Sequence, residues 1–279
     1  MPLNRELGTM ITHGFARGHL EADIRLAAEL GARCVEVLPD WRNLPDPHEL
    51  RNRLIDAGLR VHSAHGCWGG QSIKARRVDL ADLEQSSRAE SVDDIRRCLD
   101  WLSDLGGRIL VVHPGGLSDP GAAIDRGRAL LESLHTLADH AGERGVLLCV
   151  ENMPPGVYPG SRMSDLAALL GESPRAELAL AIDTGHANIT GSADATALEA
   201  GRSLMTTHVH DNNSQSDTHL PPGHGTVEWR AFRAALDQID YRGPIMLECI
   251  RYLREHPESI DATLLRRLAW LCGDAVECP

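Results

Sequence analysis

Along the chain, short apolar runs alternate with stretches in which hydrophobic residues recur every three or four positions. Several junctions share one form: a helical pattern, a glycine, then a β-branched run. Leu30-Gly31 leads into Cys34–Leu38, Ala57-Gly58 into Leu59–Ser63, Gly106-Gly107 into Arg108–Val112, and Arg144-Gly145 into Val146–Val150. Glycine suits that place because it takes the left-handed conformation past a helix end without a Cβ clash. The runs lack polar alternation, as expected of parallel strands covered on both faces. Leu7–Thr12, Leu178–Ile182, Leu204–Val209 and Pro244–Leu247 read as further strands. Helical periodicity falls near residues 20–30, 48–57, 86–105, 123–144, 163–170, 194–201, 229–239 and 259–271. Eight strands alternating with eight helices predict an α/β fold closed as a (β/α)8 barrel, with a doubly wound open sheet as the second choice. No Pro/Ser-rich linker or low-complexity tract interrupts the pattern, so residues 1–279 read as a single domain.

Composition narrows the partners. The net charge of −12 and an aromatic share of 4% argue against broad adhesion to nucleic acid or acidic membranes. Cysteines at 34, 67, 98, 149, 249, 272 and 278 form no CxxC pair, so neither a disulfide framework nor a thiolate zinc site is indicated. No apolar run approaches the ~20 residues of a membrane span. The polar start, Met-Pro-Leu-Asn-Arg-Glu, has no signal-peptide core, and a cytoplasmic location is the default expectation.

The chemistry is concentrated where a barrel enzyme would carry it, at the C-terminal ends of the strands. The third strand ends near His65, the fourth at His113, the fifth at Glu151 and the sixth at Asp183. The seventh ends in His208-Val-His210-Asp211 and the eighth at Glu248. Imidazoles mixed with carboxylates suit Zn²⁺, Mn²⁺, Co²⁺ or Fe²⁺ better than an ion that prefers oxygen alone. Two loops extend the set: Asp183-Thr-Gly-His186, and Asp217-Thr-His219 followed by Leu-Pro-Pro-Gly-His-Gly225. His62 and His210 duplicate stronger candidates and read as hydrogen-bonded neighbours. His13 ends the first strand within reach of a substrate, and Glu36 lies inside the second. Trp68 reads as an apolar lid or substrate wall, and Lys74, Arg76 and Arg77 as a solvated basic face.

The ordered motifs His113-Pro-Gly-Gly, Glu151-Asn-Met, Asp183-Thr-Gly-His186, His208-Val-His-Asp211, Asp217-Thr-His219…Gly223-His-Gly225 and Leu247-Glu248 resemble the xylose isomerase-like TIM barrel superfamily. That group includes sugar-phosphate isomerases and epimerases and the endonuclease IV family. The isomerase resemblance implies one metal held by Glu151, Asp183, His208 and Glu248. Glu151 and Glu248 would then exchange a proton with the substrate, and His186 would contact a substrate oxygen. The endonuclease resemblance implies up to three ions: one on His65, His113 and Glu151, a second on Glu151, Asp183, His208 and Glu248, and a third on His186, Asp217 and His219. His224 departs from the pattern, which has an acidic residue between the two glycines. The resemblance also implies dimers or tetramers. Two activities follow as expectations: isomerase, epimerase or lyase chemistry on a small sugar-like substrate, and, as the alternative, phosphoester hydrolysis. Net acidity favours the first. One divalent ion would leave the four candidate carboxylates with surplus negative charge, whereas three would attract a phosphodiester.

Overall fold

The computed structural model describes residues 3–13, 19–69 and 77–274. Its strands are β1 (Leu7–His13), β2 (Cys34–Pro39), β3 (Arg60–His65), β4 (Ile109–Val112), β5 (Leu147–Glu151), β6 (Leu178–Asp183), β7 (Leu204–His208) and β8 (Ile245–Leu247). The intervening helices are α1 (Leu20–Leu30), α2 (Pro47–Asp56), α3 (Gln85–Leu105), α4 (Ala123–Arg144) and α5 (Met163–Glu172). They continue with α6 (Thr184–Thr190), α7 (Ala193–Ala200), α8 (Trp229–Gln238), α9 (Ile250–Glu255) and α10 (Ala262–Cys272).

The strands lie in the order β7-β6-β5-β4-β3-β2-β1-β8, and every pair is parallel. β1 pairs with both β2 and β8, which leaves β7 and β8 as the two ends of the ladder. The seam between β7 and β8 is held by a bridge from Val209 to Leu247, with Val209 donating to the Met246 carbonyl at 2.7 Å. This closure excludes the doubly wound open sheet, and the fold is the (β/α)8 TIM barrel. The left-handed conformations of Gly106 (φ 90°) and Gly145 (φ 65°) end α3 and α4 as the glycine pattern implied.

Side-chain alternation divides each strand between two cores. Leu110, Val112, Leu148, Val150, Leu180 and Ile182 belong to the large cluster between barrel and helices. Ile109, Val111, Cys149, Ala179 and Ala181, with Leu147, form a separate small cluster that fills the barrel interior. The period of two carries that inward face onward to His113, Glu151 and Asp183, so the chain ends its apolar floor and begins its polar mouth at one level.

Two short helices escape the periodicity. α6 starts on Asp183, whose side chain caps it by accepting the His186 N–H, and α9 begins just past Glu248. At seven and six residues they are too short for a hydrophobic repeat to be read.

The floor should be intolerant of added volume. Ala181→Leu, in register with Glu151, is expected to cost about 1–3 kcal/mol in denaturant unfolding by overpacking. Leu117→Ala, at a side chain 69% exposed, should stay within about 0.5 kcal/mol.

Candidate active site

Glu151 is the last residue of β5, and its carboxylate faces two ways. Oε1 lies 3.0 Å from Nδ1 of His208, while Oε2 lies 3.4 Å from Nε2 of both His65 and His113. Oε2 is buried and accepts no hydrogen bond. Burial opposes ionisation of Glu151, but the imidazoles of His208, His113 and His65 outweigh it and hold the carboxyl well below its usual range. The same alternation that turns Glu151 inward turns Ser63 and His65 inward and His62 outward, where burial drops the His62 pKa to about 4.

Asp183 and His208 are register partners at the ends of β6 and β7. Asn152 acts as a short extension of the sheet: its amide donates to the Asp183 carbonyl (3.1 Å), and its carbonyl accepts the Asp183 N–H (2.8 Å). The Asn152 backbone carbonyl accepts from Nδ1 of His186 at 2.9 Å, which leaves Nε2 facing Asp217 at 3.3 Å. His186 is 7% exposed; burial works against its protonation, but Asp183 and Asp217 raise its pKa to about 10.

The eighth strand delivers Glu248, whose backbone N–H donates to Val209 across the seam. Its Oε2 lies 3.2 Å from Nδ1 of His208 and accepts no hydrogen bond. Burial pushes the Glu248 pKa up to about 7, opposed by His208 and His219. His219 donates through Nδ1 to the Glu248 carbonyl (2.9 Å) and meets Asp217 through Nε2 (3.0 Å). The loop carrying Asp217 and His219 is tied down by buried Asp211, which accepts from the N–H groups of Asn212, Gly223 and Val227 and from the Trp229 indole.

Two inward groups lay outside the expected ligand set: Glu36, noted inside the second strand, and His210, expected to be a hydrogen-bonded neighbour, which it is. Glu36 is fully buried, 2.9 Å from Nε2 of His208. His210 shares the inward parity of His208 and contacts both oxygens of Asp183 at 3.0 Å. Its backbone is clamped to Thr184, and its ring fills the space that a side chain at Gly185 would need. Strand parity was the available signal for both residues, but it needs the barrel's inner face to be known.

The mouth opens into a cavity of about 1060 Å³ lined by Thr12, Trp68, His219, Glu248, Tyr252 and Arg254 among others. Trp68 stands 4.5 Å from the His65 ring. His13 has the opposite parity to Thr12; burial lowers its pKa, and the charges acting on it, Arg53 and Glu49, belong to α2 rather than to the ligand cluster. His224 faces Tyr252, with ring centroids 6.4 Å apart. Lys74 and Arg76 lie outside the described residues; Arg77 donates to the Leu117 carbonyl.

Glu151, Asp183, His208 and Glu248 each offer a ligand atom within 4.8 Å of the others, and so do His65, His113 and Glu151. Metal–ligand bonds near 2.1 Å require about this spacing, and the unpartnered Oε2 atoms of Glu151 and Glu248 are acceptors without a donor. The residues therefore fit a divalent cation. His210, His219 and Glu248 are equally close but less suited. The two rings stack at 4.0 Å and 4°, so their in-plane lone pairs run parallel instead of converging.

The comparisons agree with this architecture. An L-ribulose 3-epimerase from Methylomonas sp. (strain DH-1) is 28% identical over 265 residues, covering 90% of this chain and 87% of that protein. A probable endonuclease 4 from Solibacter usitatus is 27% identical over 269 residues, 85% of this chain and 88% of that protein. The crystal structure of a D-allulose 3-epimerase from Methylomonas sp. in complex with D-allulose superposes with a TM-score of 0.71 at 25% identity, over 88% of this chain and 85% of that one. Residues 24–270 match the model of the xylose isomerase-like TIM barrel, and the chain belongs to that family.

Proposed function

We propose that this protein is a divalent-metal-dependent epimerase or isomerase of a small sugar or sugar-like substrate, working by proton transfer between Glu151 and Glu248. The observation that carries the reading is the pair itself: two carboxyls 3.0 and 3.2 Å from one imidazole nitrogen, with pKa values driven apart. Without a cation, the surrounding imidazoles hold Glu151 ionised, while burial raises Glu248 to about 7. Such separation is how one site obtains a base and an acid at the same pH.

In the forward direction Glu151 removes a proton from the carbon beside the substrate carbonyl. The C–H electron pair moves into an enediolate, and Glu248 returns a proton to the carbon from the other side. In the reverse direction the two exchange roles. Glu151, Asp183, His208 and Glu248 would hold the cation, which polarises adjacent carbonyl and hydroxyl oxygens and acidifies that C–H. His186 would donate from Nε2 to a substrate oxygen, and Trp68, in the lining of the cavity, would form an apolar wall. Similarity to the L-ribulose and D-allulose 3-epimerases supports a ketose-sized substrate. Zn²⁺, Mn²⁺ and Co²⁺ all suit the donor set.

A second reading, phosphoester hydrolysis with several ions, is favoured by the His65–His113–Glu151 triad and by Asp217 between His186 and His219. Similarity to the probable endonuclease 4 adds to it. Assay in D₂O separates the two: the first reading expects deuterium at the carbon next to the carbonyl of a ketose, and cleavage of an abasic-site phosphodiester without that exchange would favour the second.

Glu248→Gln is isosteric and should lower kcat by about 10²–10⁴-fold with an unchanged unfolding midpoint; wild-type turnover would remove Glu248 from the chemistry. Cation affinity should rise with pH. Protons on Glu248 (near 7), on His219 (near 10) and on His208, whose pKa Glu36, Glu248 and Glu151 raise well above the usual imidazole range against burial, must leave before these groups can act as ligands or neutral neighbours. Calorimetric titration of Mn²⁺ at about pH 6 and pH 8, in buffers of differing ionisation enthalpy, should show net proton release and tighter binding at the higher pH. A pH-independent Kd would contradict this.

A further inference from the structure

We infer that Glu36 is a positioning residue that fixes how His208 presents itself to a divalent cation, an inference that rests on the cation site proposed above. Glu36 sits in the middle of β2, between Val35 and Val37, which are both fully buried. A carboxylate in such a strand is costly unless both oxygens are satisfied. Both are: Oε1 lies 2.9 Å from Nε2 of His208, and Oε2 accepts the Ser63 hydroxyl at 2.5 Å. Neither Glu36 nor His208 has any exposed surface.

The consequence follows from the donor inventory. An ionised carboxylate can only accept, so the nitrogen facing it must carry the hydrogen. With Nε2–H committed to Glu36, the imidazole can meet a cation only through Nδ1, once the proton that Nδ1 holds toward Glu151 has left. That nitrogen is the one 3.0 Å from Glu151 and 3.2 Å from Glu248. Three further constraints hold the arrangement. Asp183 pins the neighbouring strand in register with His208, Ser63 pins Glu36 from β3, and the His65 ring stacks on His208 at 5.7 Å. Without Glu36 the imidazole could flip or offer the other tautomer, and Nε2 would be buried with no acceptor. The negative charge also makes Nδ1 a more basic ligand. β2 thus contributes to the cation site with no ligand of its own.

Glu36→Gln keeps the volume and can still accept from Nε2–H through its amide oxygen, but it removes the charge. Ser63→Ala leaves the charge and releases the far oxygen. Titration of the metal-stripped full chain with Mn²⁺, following free Mn²⁺ by electron paramagnetic resonance, should give a Kd about 10–100-fold weaker for Glu36→Gln. Ser63→Ala should be a few-fold weaker. The visible bands of the Co²⁺-loaded protein should shift in Glu36→Gln, while its unfolding midpoint stays near wild type. A purely structural buried pair would move the midpoint and leave the Kd alone. An unchanged Mn²⁺ Kd and Co²⁺ spectrum in Glu36→Gln would overturn the inference. Should that variant not fold, Ser63→Ala and Glu36→Asp carry the same test, and wild-type affinity in both would overturn it. A wild-type protein that takes up no Mn²⁺ would instead overturn the cation site itself, and the two failures are told apart by that control.

Discussion

Carboxylates buried within a few ångströms of one another are tolerable only if positive charge is supplied among them, and the mouth of this barrel is arranged around that requirement. His208 is where the demand converges. Its two nitrogens meet three carboxylates: Glu36 at 2.9 Å, Glu151 at 3.0 Å and Glu248 at 3.2 Å. The two partners on the Nδ1 side leave an oxygen without a hydrogen bond, while the one on the Nε2 side leaves none. That asymmetry separates a structural face of the imidazole from one open to a ligand.

The surrounding fold exists to keep these groups at one level. The apolar interior of β4 to β6 ends one inward residue below His113, Glu151 and Asp183. Asn152 prolongs the β5–β6 pairing with its side chain, and Asp211 gathers backbone donors from a Gly/Pro-shaped loop that no regular element could hold. The Val209–Leu247 bridge closes the ring and sets the height of Glu248. None of these groups needs to touch a substrate to matter. Each restrains one of the clustered side chains at the mouth.

Much of this was legible in the sequence because two independent signals coincide. Glycine-ended helices followed by unbroken apolar runs give the α/β alternation. The His, Asp or Glu at or just past the end of each run then gives His65, His113, Glu151, Asp183, His208 and Glu248. What escaped was the partner that each inward group would meet. Glu36 sits inside an apolar run, where a carboxylate reads as an anomaly until its partner, 172 positions away, is seen. His210 is the hydrogen-bonded neighbour it was read as, but nothing in the chain says that its partner is Asp183 or that Thr184 and Gly185 leave room for its ring. His13 ends its strand as a ligand would, but it lies one residue out of phase with Thr12, which lines the cavity.

Membership of the xylose isomerase-like family fixes the scaffold, and the chemistry is argued from the mouth. On the proposed reading, the four donors at the ends of β5, β6, β7 and β8 hold one cation between them. Crystals grown with Mn²⁺ and measured at a wavelength giving anomalous signal test it directly. A peak is expected about 2.1 Å from an oxygen or Nδ1 of each of Glu151, Asp183, His208 and Glu248. A well-ordered mouth with no peak there, or a cation held elsewhere on the chain, would contradict it.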